Sequence, residues 1–87
     1  MQTHKLKTHS EYWHEVARGN KSFEIRKDDR GFEVGDTLKL YEVNSETLNH
    51  VGGIITTKVI YILRNESQFG LQPGYCILGL GDITVTV

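Results

Sequence analysis

The sequence predicts an α+β domain in which one N-terminal helix closes a small barrel of about five mostly antiparallel strands. Two observations support this prediction. A helical pattern of apolar residues ends at Gly19, and five later segments alternate between apolar and polar residues. The 87 residues have the length of a single domain, residues 1–87. Curling so small a sheet into a barrel would bury a core and leave no strand unpaired.

The helix is predicted over residues 9–18. Thr8 and Glu11 fit a capping box, with Thr8 as the N-cap residue and Glu11 at the third helical position. Gly19 stands where a glycine commonly follows the last turn of a helix. The side expected to be buried carries Tyr12, Trp13, Val16 and Ala17.

The five strands are predicted from alternation with a period of two. They span residues 22–27, 37–43, 54–63, 75–80 and 83–87, with a polar loop at 44–53. In the first of them, Phe23 and Ile25 share one face, and Glu24 and Arg26 share the other. We expect the apolar face to be buried. In the later strands we expect burial of Leu40, Val59, Tyr61 and Ile77.

Composition favours a cytoplasmic protein that has no membrane partner. The first ten residues are polar, and no apolar run approaches the roughly 20 residues of a membrane span. A single cysteine, Cys76, excludes an intrachain disulfide and is expected in the core rather than as a nucleophile. The net charge is −1, but residues 1–30 carry seven of the ten Lys and Arg residues and a net charge of +2.

No metal or cofactor site is predicted. His9 and His14 are five residues apart, which does not place them on one helix face, and no pair of carboxylates has a metal-binding spacing. The two adjacent glycines at 52–53 are read as a turn, because no phosphate-binding glycine loop surrounds them. We therefore expect neither a metal nor a cofactor.

The candidate site lies in the charged segment that follows the helix. Glu24 and Arg26 point to the same side of a strand, roughly 7 Å apart. The turn at Gly19 brings Lys21 close to them and predicts a basic cleft between helix and barrel. Two cations beside one carboxylate suit an anionic or hydrogen-bonding ligand. The alternative is a solvated strand face with a weak surface ion pair.

Four sequence blocks resemble a known family. Gly19, Lys21, Glu24 and Arg26 match the G-x-K-x-x-E-x-R motif of the ASCH domain, the activating-signal-cointegrator homology branch of the PUA-like superfamily. The blocks His4–Lys7, Lys21–Arg30, Phe32–Asp36 and Gly74–Gly79 resemble a compact subfamily of phages and bacteria that has no assigned function.

This resemblance implies a PUA-like β-barrel that binds RNA or a nucleotide-like ligand in the basic cleft. It places Lys21, Glu24 and Arg26 at the ligand, and we extend the expected RNA-binding set to Lys5, Lys7, Lys27 and Arg30. Some similar domains hydrolyse acylated nucleosides and carry a threonine at the position of Glu24, and others cleave RNA. The alternatives are therefore a small metal-independent hydrolase acting on RNA or a modified nucleoside, with Lys21 and Glu24 as acid and base, and a protein-interaction module. No catalytic residue is assigned, and a binding function is favoured over an enzyme.

Overall fold

Six strands and one α-helix build the fold, which is described here from a computed structural model of residues 1–87. A short 3₁₀ turn at Ser67–Phe69 interrupts the loop before the fifth strand. The elements, in chain order, are β1 (Thr3–His9), α1 (Ser10–Ala17), β2 (Phe23–Lys27), β3 (Thr37–Val43), β4 (His50–Arg64), β5 (Tyr75–Leu80) and β6 (Thr84–Thr86).

The strands form one open sheet in the order β1-β3-β4-β5-β2, with β6 paired to β4. The β1–β3 pair is parallel and the other pairs are antiparallel. No strand pairing joins β1 to β2, which are the two ends of this order. The predicted closed, PUA-like barrel of about five strands is therefore wrong, and the helix lies between the first two strands rather than ahead of the sheet.

Arginine side chains occupy the gap in which a barrel would close. Arg26 Nη2 donates a hydrogen bond to the main-chain oxygen of Lys7, at 2.8 Å. Arg30 Nη1 donates to the main-chain oxygen of Lys5, at 3.0 Å. Side chains from β2 and from the turn after it thus take the place of a β1–β2 backbone ladder, and the sheet stays open.

Strand β1 was not predicted from the sequence, because its inward face is mostly polar. His4, Leu6 and Thr8 point inward and are buried, and only Leu6 is apolar. His4 is satisfied by Asp36, whose Oδ2 lies 2.9 Å from His4 Nε2. Polar residues can be buried when they have such hydrogen-bond partners. The sequence of β1 therefore lacks the apolar–polar alternation from which a strand is predicted.

Helix α1 begins at Ser10, and the predicted capping box is wrong. Thr8 lies within β1, and the N-cap residue is His9, which makes no side-chain capping bond. Trp13 and Val16 are buried as predicted, and Trp13 Nε1 donates to the Leu40 main-chain oxygen at 2.9 Å. Tyr12, in contrast, is 52% exposed. Gly19 ends the helix with a φ of 81°, which confirms its predicted role.

A β-bulge in β4 explains why the predicted burial of Tyr61 is wrong. The pairing register shifts between Val59 and Tyr61, so the extra residue, Ile60, reverses the alternation. Val59 is therefore buried, whereas Tyr61 is exposed. Residues of β4 up to Lys58 pair with β3 or β6, and residues from Val59 onwards pair with β5.

The predicted burial of β2 is inverted. Phe23 and Ile25 share a face opposite Glu24, as expected, but they point outward and are 40% and 56% exposed. Glu24 points inward, opposite Leu78 of β5. Leu40 is buried as predicted, and Ile77 is only partly buried. The core consists of Leu6, Trp13, Val16, Phe32, Leu38, Leu40, Ile55, Val59, Cys76, Leu78 and Leu80.

The helices of this fold are short. The single α-helix has eight residues. No helix in the structure is long and apolar enough to span a membrane.

Candidate functional site

A surface cavity of about 510 Å³ opens where the end of β1, helix α1 and strand β2 meet. Its volume falls within the range of roughly 300–1,000 Å³ that is usual for small-molecule sites. Nine residues line it: Lys7, Thr8, His9, Tyr12, Lys21, Phe23, Glu24, Ile25 and Arg26. The cavity thus contains the centre of the charged segment that the sequence singled out.

The carboxylate of Glu24 forms the floor of this cavity. Its side chain is only 4% exposed. Lys21 Nζ lies 2.5 Å from Glu24 Oε2, and Arg26 Nη2 lies 2.9 Å from Glu24 Oε1. Two cations around one buried acid leave the cavity with an excess of positive charge, which attracts anions.

Local backbone geometry explains why Lys21 reaches Glu24. Gly19 takes a left-handed conformation that turns the chain back against the helix. The N–H groups of Asn20 and Lys21 then both donate to the main-chain oxygen of Glu15. Lys21 Nζ also donates to the Phe23 main-chain oxygen at 2.7 Å, so the ammonium group is fixed over the start of β2.

Arg26 keeps hydrogen-bond donors free for a ligand. Its Nη2 group donates hydrogen bonds to Glu24 Oε1, to Thr8 Oγ1 and to the main-chain oxygen of Lys7. Its Nε and Nη1 groups make no hydrogen bond within the protein, and the side chain is 22% exposed. Three of the five guanidinium N–H groups therefore remain available, in a planar arrangement that suits phosphate or a base edge.

Aromatic side chains form the wall of the cavity. Tyr12 and Phe23 are both exposed. Lys21 Nζ lies 4.8 Å from the centroid of the Phe23 ring and 5.7 Å from that of Tyr12. Exposed rings beside cations are the combination on which unpaired bases stack in nucleic-acid-binding proteins.

Thr8 is a site residue that the sequence analysis missed. Its hydroxyl lies 3.4 Å from Glu24 Oε1 and accepts a hydrogen bond from Arg26 at 3.0 Å. The capping-box pattern had assigned Thr8 to the helix. The only available signal was the alternation His4-x-Leu6-x-Thr8, which places Thr8 on the inward face of a strand.

The predicted site residues separate into two groups. Lys7, Lys21, Glu24 and Arg26 line the cavity. Lys5, Lys27 and Arg30 do not, and Lys27 is exposed on the outward face of β2. For all seven residues, participation in RNA binding stays a prediction.

Two further buried carboxylates lie outside the cavity. Asp36 accepts main-chain N–H bonds from Gln2 and Glu33, and these bonds together with His4 lower its pKa from 3.8 to about 2. Glu42 accepts from Ser10 and lies 3.0 Å from His14 Nε2. The Ser10 bond is the main reason why the pKa of Glu42 is lowered.

The histidines and the cysteine were examined as possible metal ligands or as a nucleophile in the sequence, and the structure gives their surroundings. No group of three or more His, Cys, Asp or Glu side chains is arranged to hold a metal ion. Cys76 is fully buried, which raises the pKa of its thiol and keeps the thiolate form rare. Its predicted place in the core is confirmed.

Comparisons with known proteins identify sequences that are similar to this chain. A family model described as a domain of unknown function, DUF3850, matches residues 3–80. A stretch of 39 residues is 49% identical to an uncharacterized 12.9 kDa protein in the GpA 3′ region of Escherichia phage P2. This match covers 45% of the chain and 36% of the phage protein, so the similarity spans about a third of the length of that relative.

Proposed function

The chain belongs to the DUF3850 family, and we propose that it is a non-catalytic module that binds RNA, or a nucleotide-like ligand, in the cavity around Glu24. One observation carries the proposal. Exposed aromatic rings, unused guanidinium donors and a buried carboxylate converge on one cavity of nucleotide size.

Each part of a nucleotide has a suitable partner there. A base stacks on the exposed rings of Tyr12 and Phe23. The free Nε and Nη1 groups of Arg26 donate to a phosphate or to a base edge. Glu24 holds Lys21 and Arg26 in place. The resemblance of Gly19, Lys21, Glu24 and Arg26 to the ASCH motif gives separate support, because that resemblance implies RNA binding.

Replacing Arg26 tests this proposal. We expect Arg26→Ala to weaken binding of a fluorescein-labelled 12-nucleotide RNA by roughly 1–3 kcal/mol, which is about 5- to 150-fold. Fluorescence anisotropy measures the change. Arg18→Ala is the matched control, because Arg18 carries the same charge but is 63% exposed outside the cavity. Equal affinities for wild type and Arg26→Ala would refute the proposed site.

A hydrolase is the second candidate, and the position of Thr8 favours it. A hydroxyl 3.4 Å from a carboxylate is a recurring start for acyl transfer, in which the carboxylate takes the hydroxyl proton. Here, however, both Glu24 oxygens already accept from cations, and Thr8 is itself held by Arg26. These contacts suit holding a ligand better than cutting it.

Chromatography of reaction products separates the two functions. We expect no hydrolysis of acylated cytidine and no RNA cleavage by wild type or by Glu24→Gln. Glu24→Thr places a second hydroxyl beside Lys21 and is the sharper variant. If wild type hydrolyses acylated cytidine and Thr8→Val abolishes that activity, the enzyme interpretation replaces the binding module. A gain of activity in Glu24→Thr alone would mean that a hydrolase-like cleft serves only for binding in this chain.

A further inference from the structure

The outward face of β1, β3 and the first part of β4 carries an excess of positive charge that the chain does not neutralise. Strand registers place the outward residues beside one another across these strands and β6. Four are lysines and none is acidic: Thr3, Lys5, Lys7, His9, Thr37, Lys39, Tyr41, Ile54, Thr56, Lys58, Thr84 and Thr86. We call Lys5, Lys7, Lys39 and Lys58 the lysine face.

No acid compensates these lysines. None of the four has a carboxylate within 4 Å, whereas Lys21 in the cavity does. Lys5 and Lys39 are direct cross-strand partners, about 5 Å apart across the sheet. Two like charges at that distance repel each other, and a bound anion would relieve the repulsion. The whole chain has a net charge of −1, so this face departs from the average composition.

The lysine face is continuous with the candidate site. Lys7 belongs to both, because it lies on the outward face of β1 and also lines the cavity. The rest of the outward surface is different: on β2, β5 and the end of β4 it is apolar, with Phe23, Ile25, Tyr61, Leu63 and Ile77 as cross-strand neighbours. Lys27 is the only lysine there.

We propose that the lysine face binds the phosphate backbone of a single-stranded RNA, one nucleotide of which occupies the cavity. This inference rests on the proposed function and extends it from one nucleotide to a strand. Charge complementarity selects a polyanion, and the aromatic wall of the adjoining cavity selects an RNA with unpaired bases. The strand would run from the cavity past Lys7 and across Lys5 and Lys39 towards Lys58.

Salt dependence of binding tests the inference. With a 12-nucleotide RNA, each neutralised phosphate contributes about −0.7 to the slope of log K against log salt. The cavity alone, with the three cations Lys7, Lys21 and Arg26, gives a slope of about −2.1. The three further lysines of the face bring it to about −4.2. The double variant Lys39→Gln/Lys58→Gln lies outside the cavity, and we expect it to reduce the slope by about 1.4 and the affinity at 0.1 M salt by roughly 10- to 30-fold.

Two controls accompany the double variant. Arg18→Gln removes a positive charge from the end of helix α1, outside both the cavity and the lysine face, and we expect an unchanged slope. The thermal midpoint of the double variant should not fall, since Lys39→Gln relieves the repulsion from Lys5. Binding of a dinucleotide, which fills the cavity but cannot reach Lys58, should be the same in wild type and in the double variant.

The possible results separate this inference from the function on which it rests. If Arg26→Ala weakens RNA binding but the double variant does not, the lysine face is not the RNA path and the cavity function stands. If only the double variant weakens binding, the face binds a polyanion and the cavity function fails. If RNA does not bind and anionic phosphatidylserine vesicles bind in a lysine-dependent way, a membrane surface replaces RNA and both proposals are overturned.

Discussion

Two buried carboxylates, Asp36 and Glu24, are satisfied in different ways. Asp36 is fully buried and accepts hydrogen bonds from the main-chain N–H groups of Gln2 and Glu33 and from His4. Glu24 is almost as buried but accepts from Lys21, Arg26 and Thr8, all through side chains. Asp36 does not line the cavity described above, whereas Glu24 does.

The type of hydrogen-bond donor distinguishes a buried acid that stabilises the fold from one that belongs to a candidate binding site. Main-chain donors are fixed by the fold, so the bonds to Asp36 hold the first residues of β1 and β3 together. These donors are not available to a ligand. Side-chain donors can turn towards a second acceptor, and those at Glu24 retain unused N–H groups beside open space. Burial of an acid is therefore less informative than the identity of its donors.

The largest loss of stability is expected for Asp36→Asn. The amide cannot accept all three hydrogen bonds as strongly, and its own NH₂ group lacks an acceptor in this site. We expect the thermal midpoint to fall by on the order of 10 °C. RNA affinity, measured well below that midpoint, should stay within twofold of wild type. A variant as stable as wild type would contradict the structural role assigned to Asp36.

The pH dependence of Asp36 gives an independent check on the same variant. The pKa of Asp36 in the folded protein is lowered from its ordinary value of 3.8 to about 2, chiefly by the hydrogen bond from the Gln2 main chain. Its ionised form therefore stabilises the fold above pH 4, and this contribution is lost as the pH falls from about 4 towards about 2. The difference in thermal midpoint between wild type and Asp36→Asn should shrink across that window. A constant difference would mean that protonation of Asp36 does not weaken the fold.

A smaller loss of stability, with a loss of affinity, is expected for Glu24→Gln. The amide keeps an acceptor for Arg26 but leaves Lys21 and Arg26 without a counter-charge at the cavity floor. We expect the thermal midpoint to fall by about 5 °C and RNA affinity to fall by about 3- to 10-fold as Arg26 loosens. Calorimetry and anisotropy measure the two effects. The comparison fails if Glu24→Gln behaves like Asp36→Asn, with a large loss of stability and unchanged affinity.

Arg26 and Arg30 form a matched pair for the next smaller effect. Both donate to main-chain oxygens of β1, but only Arg26 lines the cavity. We expect Arg30→Ala to lower the thermal midpoint by about 2–4 °C, because it removes one exposed hydrogen bond. We expect a larger decrease for Arg26→Ala, because Arg26 also donates to Thr8 and to the buried Glu24. With a dinucleotide as the probe, only Arg26→Ala should lose affinity. An equal loss for Arg30→Ala would place the ligand outside the cavity.

The smallest effect is expected at Glu42, whose surroundings share one feature with Glu24 and one with Asp36. Ser10 and His14 contact it through side chains, as at Glu24, but it lines no part of the cavity. Ser10→Ala should raise the pKa of Glu42, because the Ser10 hydrogen bond is the main cause of its lowering. NMR titration of the side-chain carboxyl carbon measures this shift. RNA affinity should not change, and a change would add Glu42 to the binding site.

Local patterns in the sequence were enough for some elements of the fold. Strands β3 and β5 have the predicted bounds, because each is a short run rich in apolar residues that follows a turn containing glycine. The end of α1 at Gly19 was also predictable, since few residues other than glycine adopt its positive φ. Such elements are specified by residues within a few positions of one another.

Elements that depend on distant partners were not predictable. The inward face of β1 is stabilised by residues far along the chain, such as Asp36 for His4. The bulge at Ile60 depends on how β4 changes partners from β3 to β5. Neither contact leaves a local signal, so one strand was missed and the face of Tyr61 was wrong.

The candidate site was predicted with the correct charges but with the wrong orientation. The sequence brought Lys21, Glu24 and Arg26 together, and the structure does so as well. Burial was assigned to Phe23 and Ile25 on hydrophobicity alone, whereas Glu24 is the buried residue. An acid with two cationic partners can replace an apolar residue on the inward face, and only the structure reveals that arrangement.

The arginine bridges between β1 and β2 also bear on self-association. An open sheet offers unpaired carbonyl groups along its outer strands, and another molecule can extend such a strand into an aggregate. On β1 the carbonyl groups of Lys5 and Lys7 already accept hydrogen bonds from Arg30 and Arg26. These two carbonyl groups are thereby less accessible to an incoming strand. Arg26 therefore has a second consequence beyond the cavity: together with Arg30, it disfavours addition of another strand to β1.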